Sequence, residues 1–416
     1  MPFHAESLLL KTLAERGFIH QCTDEQALDS RAAAGPLVGY AGFDMTADSL
    51  HIGNLVSLMT LRRFQQAGHK PIVLLGGGTT SVGDPSGRDT TRPTLSSDQI
   101  AANQASIRGL LGRFVTFGEG PTDAILVDNA DWLESLAYLP FLREVGRHIT
   151  LNRMLTFDSV RLRLEREQPL TFLEFNYMIL QAYDFVELHK RHGCVVQMGG
   201  SDQWGNIVGG VELGRKLVGA TLFGLTTPLI TTASGAKMGK TAQGAVWLKA
   251  ERLAPYAYAQ FWRNTEDADV GRFLRLFTDL PLEEIKRLEL LQGAEINAAK
   301  KVLAFETTAL CHGRAAAEAA ASTAEATFAQ GGVGEDLPTF TLAPGQSALV
   351  IDAAVAVGLA TSRGEAKRLI EQGGLRLGER VVTDIGDRLA AEDLPPGQTL
   401  RLSAGKKRHA VIKRER

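Results

Sequence analysis

The sequence has few cysteines, no long hydrophobic run and little net charge, and these absences exclude several classes of protein. Its three cysteines, Cys22, Cys194 and Cys311, are odd in number and far apart, which excludes a disulfide framework or a zinc cluster built on cysteine. No stretch approaches the roughly 20 apolar residues of a membrane span. The N-terminus carries Glu6 and Glu15 and lacks the basic start and apolar centre of a secretory signal. We therefore expect a cytoplasmic protein without a membrane segment.

What the chain does have is a globular composition, with 44% hydrophobic and 22% charged residues, over a length of 416 residues that suits two or three domains. The net charge of −2 is unevenly distributed. Residues 361–416 carry 13 Lys and Arg against 8 Asp and Glu, whereas the rest of the chain carries 32 against 39. A basic end on an acidic body indicates a module that binds a polyanion, and a solvated basic tail is the alternative.

Residues 36–245 alternate between strand and helix patterns, which is typical of a doubly wound parallel α/β sheet. Short apolar runs end in glycine or polar residues at PLVGY, PIVLLGG, AILVDN, CVVQMGG and LTTPLI. A helix that ends near Gly68 has one apolar face, formed by Ile52, Leu55, Val56 and Met59. In sheets of this kind, ligands bind outside the carboxyl ends of the strands.

The rest of the chain is predicted to be helical up to Gln330, followed by a Gly- and Pro-rich linker and a small C-terminal unit. In that unit, Ser362 and Glu365 form a capping-box pattern before the helix RGEAKRLIEQ, and LRLGERVV predicts a hairpin. The predicted domains are 1–248 (α/β), 249–330 (helical), 331–346 (linker) and 347–416 (the small C-terminal unit).

Four loop segments carry residue types suited to binding a nucleotide. YAGFDMTADSLHIGN (40–54) connects a strand to a helix that begins near His51, and phosphate groups bind at the N-termini of helices. A capping or packing role for His51 is the alternative. GGGTTSVGDPSGR (76–88) is a glycine-rich loop that lacks the lysine of a P-loop. Asp202 follows a strand, where an acid can bind ribose hydroxyls. TTASGAKMGKT (231–241) holds Lys237 and Lys240, which suit a polyphosphate.

The helix predicted over 171–188 combines apolar residues around most of its surface with one narrow polar stripe. Thr171 and Glu174 form a capping-box pattern at its start. Spacings of three, four and three residues place on one face Glu174, Tyr177, Gln181 and Asp184. The stripe either faces water or lines a polar ligand pocket. The apolar character of the remaining surface favours the pocket, because buried polar groups need partners.

Together these segments resemble the class I aminoacyl-tRNA synthetases, and most closely the bacterial-type tyrosyl-tRNA synthetases. HIGN at 51–54 is similar to the HIGH signature, and KMGKT at 237–241 is similar to KMSKS. GYAGFD, GDPSG, LQAYDF and GSDQWGN occur in the order of that family. The C-terminal GLATSRGEAKRLIEQGGLRLGERVV is similar to an RNA-binding domain of S-four type. The resemblance implies a Rossmann-like catalytic domain, an α-helical tRNA-binding domain and a small α+β RNA-binding domain.

The resemblance also implies a role for each matching residue. Tyrosine would bind Tyr40 and Asp184 with its phenol hydroxyl, Asp84, Tyr177 and Gln181 with its α-ammonium group, and Gln197 near its main-chain atoms. ATP would bind Asp44, Gly53, Asp202, Gln203 and Lys240. The transferring phosphate would be stabilised by Thr46, His51 and Asn54. The leaving pyrophosphate would be stabilised by Arg88, Lys237 and Lys240. RNA would contact Arg363, Lys367 and Arg368, for which solubility is the alternative role.

The implied activity activates L-tyrosine with ATP to tyrosyl-adenylate, releases pyrophosphate and transfers tyrosine to the 3′ end of its tRNA. ATP is then a substrate that Mg²⁺ accompanies, with no prosthetic group and no metal site in the protein. The resemblance alone implies a homodimer. One alternative is a tryptophanyl-tRNA synthetase, against which the pair Tyr40 and Asp184 and the C-terminal module argue. The other is an RNA-binding protein on an inactive synthetase scaffold, against which the two lysines, His51 and Asp202 argue.

Four positions depart from the family pattern. Asn54 replaces the second histidine of HIGH, and its amide can still donate a hydrogen bond to an oxyanion. Ala41 stands where relatives often carry a cysteine that contacts the ribose, so one weak contact is expected to be missing. Gly239 and Thr241 change the second signature but leave both of its lysines in place.

Overall fold

The structure is a computed structural model that describes residues 5–86, 95–235, 238–241, 244–329, 337–394, 399–405 and 408–415. The chain divides into two compact units, each of which is described by itself. The first comprises Met1–Met238 and Glu266–Ala299, and the second comprises Gly239–Thr265 and Lys300–Arg416. No helix among the described residues is both long enough and apolar enough to cross a membrane.

Helices and strands are numbered in chain order. The α-helices of the described residues are α1 (Leu8–Arg16), α2 (Glu25–Ala34), α3 (Ile52–Gln66), α4 (Gly77–Thr80), α5 (Ser97–Leu111), α6 (Ala130–Leu133), α7 (Tyr138–Glu144), α8 (Leu151–Met154), α9 (Asp158–Glu165), α10 (Phe172–His192), α11 (Trp204–Val218), α12 (Pro255–Arg263), α13 (Val270–Phe277), α14 (Leu282–Glu289), α15 (Ile296–His312), α16 (Arg314–Ala329), α17 (Val350–Ala356) and α18 (Arg363–Glu371). The strands are β1 (Gln21–Cys22), β2 (Val38–Asp44), β3 (Lys70–Gly76), β4 (Ile125–Asp128), β5 (Val196–Gly200), β6 (Phe223–Thr227), β7 (Lys240–Thr241), β8 (Gly244–Ala245), β9 (Thr339–Leu342), β10 (Ser347–Leu349), β11 (Leu375–Leu377), β12 (Arg380–Val381), β13 (Arg388–Ala390), β14 (Thr399–Ala404) and β15 (Arg408–Arg414).

The first unit is built on a six-stranded sheet with the strand order β1-β6-β5-β2-β3-β4. Strands β2 to β6 run parallel to one another, which confirms the five predicted strands, and β1 at the edge runs antiparallel. The order reverses between β2 and β5, because β3 and β4 extend the sheet on one side and β6 on the other. Ligands of doubly wound sheets bind at this switch point, outside the carboxyl ends of the strands.

Side chains of β2 alternate between helices on the two faces of the sheet. On one face a Cβ atom at Gly39 would lie 2.7 Å from Cζ of Phe64 in α3, so glycine is what allows this close packing. On the other face the ring of Tyr40 meets Phe185 of α10 edge-on, with ring centroids 5.4 Å apart. The alternation therefore directs Tyr40 toward the helix with the predicted polar stripe.

Helix α10 begins with the predicted capping box and continues one turn beyond the predicted end. Thr171 Oγ1 accepts a hydrogen bond from the N–H of Glu174 at 3.2 Å, and Glu174 Oε2 accepts one from the N–H of Thr171 at 3.2 Å. Phe172 is an exception to the predicted burial, because its side chain is 68% exposed at the helix start.

The polar stripe of α10 is turned into the protein rather than toward water. Three of its four side chains are almost fully buried: Glu174 is 2%, Tyr177 7% and Asp184 1% exposed. Glu174 forms a buried ion pair with Arg163 at 3.1 Å, so it supports the start of the helix. Gln181 and the other two residues remain as candidates for a pocket.

The second unit contains α12, most of α15 and α16, as the helical pattern predicts, and the C-terminal strands and helices. A five-stranded sheet of order β12-β11-β14-β15-β9 packs with α17 and α18 around one apolar core, whose members include Val350, Ala366, Ile370 and Leu402. The predicted hairpin is confirmed, because β11 and β12 pair antiparallel with Arg376 opposite Val381.

Two features of the C-terminal region differ from the sequence pattern. The interval 331–346, expected to be a linker, contains β9, which pairs in parallel with β15. At the start of α18, Ser362 Oγ accepts from the N–H of Glu365 at 3.2 Å, but Glu365 Oε2 accepts from the N–H of Thr361, one residue further back than in a capping box. The division of the chain into four functional segments stays a prediction.

Candidate active site

Two buried polar side chains lie side by side where the sheet reverses its order. Tyr40 of β2 and Gln197 of β5 are register partners, and their side chains are 1% and 2% exposed. Neither Tyr40 Oη nor Gln197 Oε1 has a hydrogen-bond partner among the described residues. Because buried polar atoms are nearly always paired, two unpaired atoms at a switch point indicate the place of a polar ligand.

Asp184 of α10 faces this place, and two donors hold its carboxylate. Asn129 Nδ2 donates to Oδ2 at 2.9 Å, and Trp132 Nε1 donates to Oδ1 at 2.8 Å. Burial raises the pKa of Asp184 from 3.8 to about 8, although the two donors act in the opposite direction. Burial and then the charge of Asp184 raise the pKa of Tyr40 above 10, so its hydroxyl keeps its proton at neutral pH. A ligand hydroxyl that donates to Asp184 would favour the carboxylate form.

Sequence reasoning missed Asn129 and Trp132 as site residues. Both follow β4, whose carboxyl end lies at the same edge of the sheet as the ends of β2 and β5. The one local signal is the polar pair Asp128 and Asn129 at the end of β4, and such a pair by itself indicates no more than the end of a strand. More than 50 residues separate Asp184 from its two partners, so no local pattern could predict the contacts.

A second carboxylate, Asp44 at the end of β2, connects to the same network. Tyr177 Oη donates to its Oδ2 at 3.0 Å, and Thr79 Oγ1 donates to its Oδ1 at 2.9 Å. Asn129 Nδ2 also donates to Thr79 Oγ1 at 3.0 Å. Asn129 therefore bridges the surroundings of Asp44, predicted to bind ATP, and of Asp184, predicted to bind tyrosine.

A third cluster brings together Asp84 with the amides of Gln181, Gln203 and Asn206. Gln203 Nε2 donates to Asp84 Oδ2 at 2.9 Å, and Asn206 Nδ2 donates to Gln181 Oε1 at 2.8 Å and to Gln203 Oε1 at 3.2 Å. The cluster presents carboxylate and amide oxygens, which accept hydrogen bonds from an ammonium group. Asn206 ends the segment GSDQWGN, and the sequence predicts no role for it.

The HIGN segment places an imidazole at the start of α3. His51 Nδ1 accepts a hydrogen bond from the N–H of Gly53 at 2.9 Å, so Nε2 carries the proton. A Cβ atom at Gly53 would lie 2.6 Å from His51 Cε1, so glycine at this position makes room for the ring. Asn54 Oδ1 accepts from the N–H of His51 at 3.1 Å, which leaves its amide nitrogen as the donor. His51 thus caps the helix with Nδ1 and keeps Nε2–H as a donor. Thr46 is exposed in the loop before the helix.

The comparisons with known proteins agree with this geometry. Residues 32–329 match the family of tRNA synthetases class I (W and Y). The chain belongs to this family. Residues 351–394 of this class I synthetase match the S4 domain.

Relatives of this class I synthetase resemble it over almost their whole length. The tyrosine–tRNA ligase of Novosphingobium aromaticivorans is 60% identical over 409 residues, which are 98% of both chains. That of Rhodospirillum rubrum is 61% identical over 411 residues, again 98% of both chains. The crystal structure of a C-terminally truncated mitochondrial tyrosyl-tRNA synthetase of Aspergillus nidulans matches with a TM-score of 0.69 and 32% identity, over 78% of this chain and 94% of that one.

Several predicted site residues of this synthetase are not brought into the clusters. Arg88 and Lys237 lie outside the described residues, and the backbone of Lys240 belongs to β7. Asp202 is exposed just beyond β5, at the carboxyl edge of the sheet.

No group of three or more His, Cys, Asp or Glu side chains that could hold a metal ion occurs within the part of the chain that the structure describes.

The predicted RNA contacts lie on α18 and are all exposed. Arg363 donates from Nε and Nη2 to the carboxylate of Asp352 at 2.6 and 2.8 Å, a bidentate pair that uses two of its five N–H groups and offsets its charge. Among the three predicted contacts, Lys367 and Arg368 are therefore the stronger candidates for binding phosphate.

Proposed function

We propose that this class I synthetase is a tyrosine–tRNA ligase. A carboxylate oxygen of L-tyrosine attacks the α-phosphorus of ATP, the bond from that phosphorus to the β-phosphate breaks, and tyrosyl-adenylate and pyrophosphate form. A hydroxyl at the 3′ end of the tRNA then takes the tyrosyl group and AMP leaves. Relatives about 60% identical over 98% of their length carry this name. The observation that carries the choice of tyrosine is the unpaired, buried hydroxyl of Tyr40 near Asp184.

The proposed tyrosine pocket uses each cluster for one part of the substrate. The phenol hydroxyl would donate to Asp184 and accept from Tyr40, so both of its hydrogen-bonding functions are satisfied. The α-ammonium group would donate to the acceptors around Asp84, Tyr177 and Gln181. Gln197, whose Oε1 is unpaired, would contact the main-chain atoms of the substrate.

Adenylate formation would depend on position and electrostatics rather than on a covalent enzyme intermediate. We propose that Asp44, Gly53, Asp202 and Gln203 bind ATP, that Thr46, His51 and Asn54 stabilise the transferring phosphate, and that Arg88, Lys237 and Lys240 stabilise the pyrophosphate. Mg²⁺ would enter on the ATP phosphates and neutralise part of their charge. No prosthetic group belongs to the proposal.

The family also includes tryptophan enzymes, and the same pocket discriminates between the two substrates. The indole nitrogen of tryptophan is a donor only, so it can satisfy Asp184 or Tyr40 but not both. A phenol hydroxyl donates to one and accepts from the other. Tyr40 and Asp184 therefore favour tyrosine.

The proposal also covers partners and location. The three cysteines are free thiols, which supports a cytoplasmic location. Support for a homodimer comes from large apolar side chains exposed on α7, α8 and the start of α10, namely Leu139, Leu151, Phe172 and Leu173. Sedimentation analysis tests the dimer, because a monomer would have the 44.9 kDa mass of one chain.

The Tyr40→Phe variant tests the tyrosine pocket. It removes one oxygen from a buried position, so we expect the ratio of kcat/KM for tyrosine over phenylalanine to fall by about tenfold, the worth of one hydrogen bond. The measurement is ATP–pyrophosphate exchange with each amino acid.

Tyr183→Phe is the matched control, because Tyr183 lies beside Asp184 in sequence but bonds to Glu187 and packs against Phe141. Its selectivity should equal that of the wild type. A folded Tyr40→Phe variant with unchanged selectivity would show that Tyr40 does not contact the phenol.

A further inference from the structure

The segment that precedes Lys237 is bound by three side chains from residues 266–272. Asp269 Oδ2 accepts a hydrogen bond from the N–H of Ala233 at 2.7 Å, and Glu266 Oε1 accepts one from Ser234 Oγ at 2.7 Å. Arg272 Nη2 donates to the carbonyl oxygen of Thr231. Residues 231–234 are thus held by both backbone and side-chain bonds. All of these residues belong to the first unit.

Asp269 ends the 3₁₀ turn Asp267–Asp269 and leads directly into α13 with helical backbone angles, φ −92° and ψ −17°. Its side chain makes no hydrogen bond to the N–H groups of α13. Its carboxylate is 2% exposed, and its two oxygens accept from Ala233 and from Arg272 Nη2, the latter at 2.7 Å. Both oxygens of this buried carboxylate are therefore engaged, one by the backbone of the neighbouring segment and one by Arg272, which itself binds that segment.

The bound segment also has two backbone hydrogen bonds of its own. Gly235 has a φ of +86° and donates its N–H to the carbonyl of Thr232 at 2.9 Å. Met238 donates its N–H to the carbonyl of Ile230 at 2.9 Å. Glycine is favoured at such a positive φ, so this turn has a defined geometry. The residues on both sides of positions 236 and 237 are therefore fixed in the first unit.

We propose that Asp269 is a positioning residue for adenylate formation, which rests on the proposed function above. By binding Ala233, it holds the start of the segment that continues to Lys237, the residue proposed above to act on the pyrophosphate. Asp269 acts through this segment and does not itself contact a substrate. A positioning role affects the step that forms adenylate while leaving the separate tyrosine pocket unchanged.

The Asp269→Asn variant tests this role. Asparagine has nearly the same shape, but its amide has one oxygen and one NH2 group, so it can accept a hydrogen bond from Ala233 or from Arg272 but not from both. We expect the rate constant of adenylate formation at saturating tyrosine and ATP to fall about tenfold, measured by pre-steady-state fluorescence. The Kd for tyrosine, measured by equilibrium dialysis, should stay within about twofold of the wild type.

Asp267→Asn is the matched control, since Asp267 is exposed on the same short 3₁₀ turn and the charge change is identical. It should form adenylate at the wild-type rate. Ser234→Ala is a second variant in an exposed loop position, and it removes the bonds of this hydroxyl to Glu266 and to Thr232 without changing α13. We expect it to lower the same rate constant by about two- to threefold.

The outcomes separate this inference from the proposed function. If the wild type shows no tyrosine-dependent exchange, the proposed function fails. If the wild type is active and both Asp269→Asn and Ser234→Ala form adenylate at its rate, only the role of Asp269 is refuted. An Asp269→Asn variant whose tyrosine Kd rises in parallel with its loss of rate would also refute it, because the substitution would then act on the whole fold.

Discussion

The Lys240→Ala variant should form tyrosyl-adenylate about 30- to 1000-fold more slowly than the wild type. If the lysines of the KMGKT segment act on the pyrophosphate in the transition state, losing one removes about 2–4 kcal/mol of stabilisation at that stage only. The Kd for tyrosine should be unchanged, because the tyrosine pocket is formed by other residues. Pre-steady-state fluorescence measures the rate constant, and equilibrium dialysis measures the Kd.

Lys286→Ala is a suitable control, since Lys286 is an exposed lysine that pairs with Glu283 on the surface of α14. It should have the wild-type rate. A Lys240→Ala variant that forms adenylate normally would remove this lysine from the mechanism.

Removal of the C-terminal module should leave adenylate formation intact and lower the rate of tRNA charging roughly 100-fold or more, because cationic contacts to phosphate supply much of the affinity for nucleic acid. The pairing of the strands determines the residue at which the chain should be truncated. Strand β9 pairs with β15, so a chain ending near Gly345 would leave β9 without its partner. A chain ending at Ala329, the last residue of α16, removes both strands together. ATP–pyrophosphate exchange and charging are measured on the same preparation.

A double variant, Lys367→Ala with Arg368→Ala, separates the loss of phosphate contacts from loss of the module. We expect it to lower the salt dependence of tRNA binding by about two phosphate contacts. Arg363→Ala should change it less, because Arg363 is paired with Asp352. Full charging by the truncated protein, with an unchanged salt dependence, would show that the module is dispensable.

Much of the catalytic fold follows from local patterns in the sequence. The five parallel strands, the buried face of α3 and the capping box of α10 depend on residues close together in the chain, where periodicity and turn chemistry act directly. The burial of the polar stripe was also predictable, because a helix that is apolar around the rest of its surface is usually surrounded by protein on all sides. The roles of its members came from the family resemblance.

What the sequence could not provide are contacts made across the sheet. Trp132 reaches Asp184 only because β4 ends at the same edge as β2 and β5. Glu174 belongs to the same stripe as Asp184, but it pairs with Arg163 from a separate helix. Similarly, nothing near Asp269 in the sequence indicates its hydrogen bond to Ala233, which lies 36 residues away. Each of these depends on tertiary contacts that no local pattern encodes.

The central claim is that the buried pair Tyr40 and Asp184 selects tyrosine for activation by ATP. Its most direct test is ATP–pyrophosphate exchange by the purified full-length protein with tyrosine, phenylalanine or tryptophan as the only amino acid. Phenylalanine leaves the hydroxyl of Tyr40 unpaired and gives Asp184 no donor beyond Asn129 and Trp132, at about 1–3 kcal/mol each, so tyrosine should be favoured by roughly 30- to 30,000-fold in kcat/KM. Exchange that tryptophan supports better than tyrosine, or that no amino acid supports, would contradict the account.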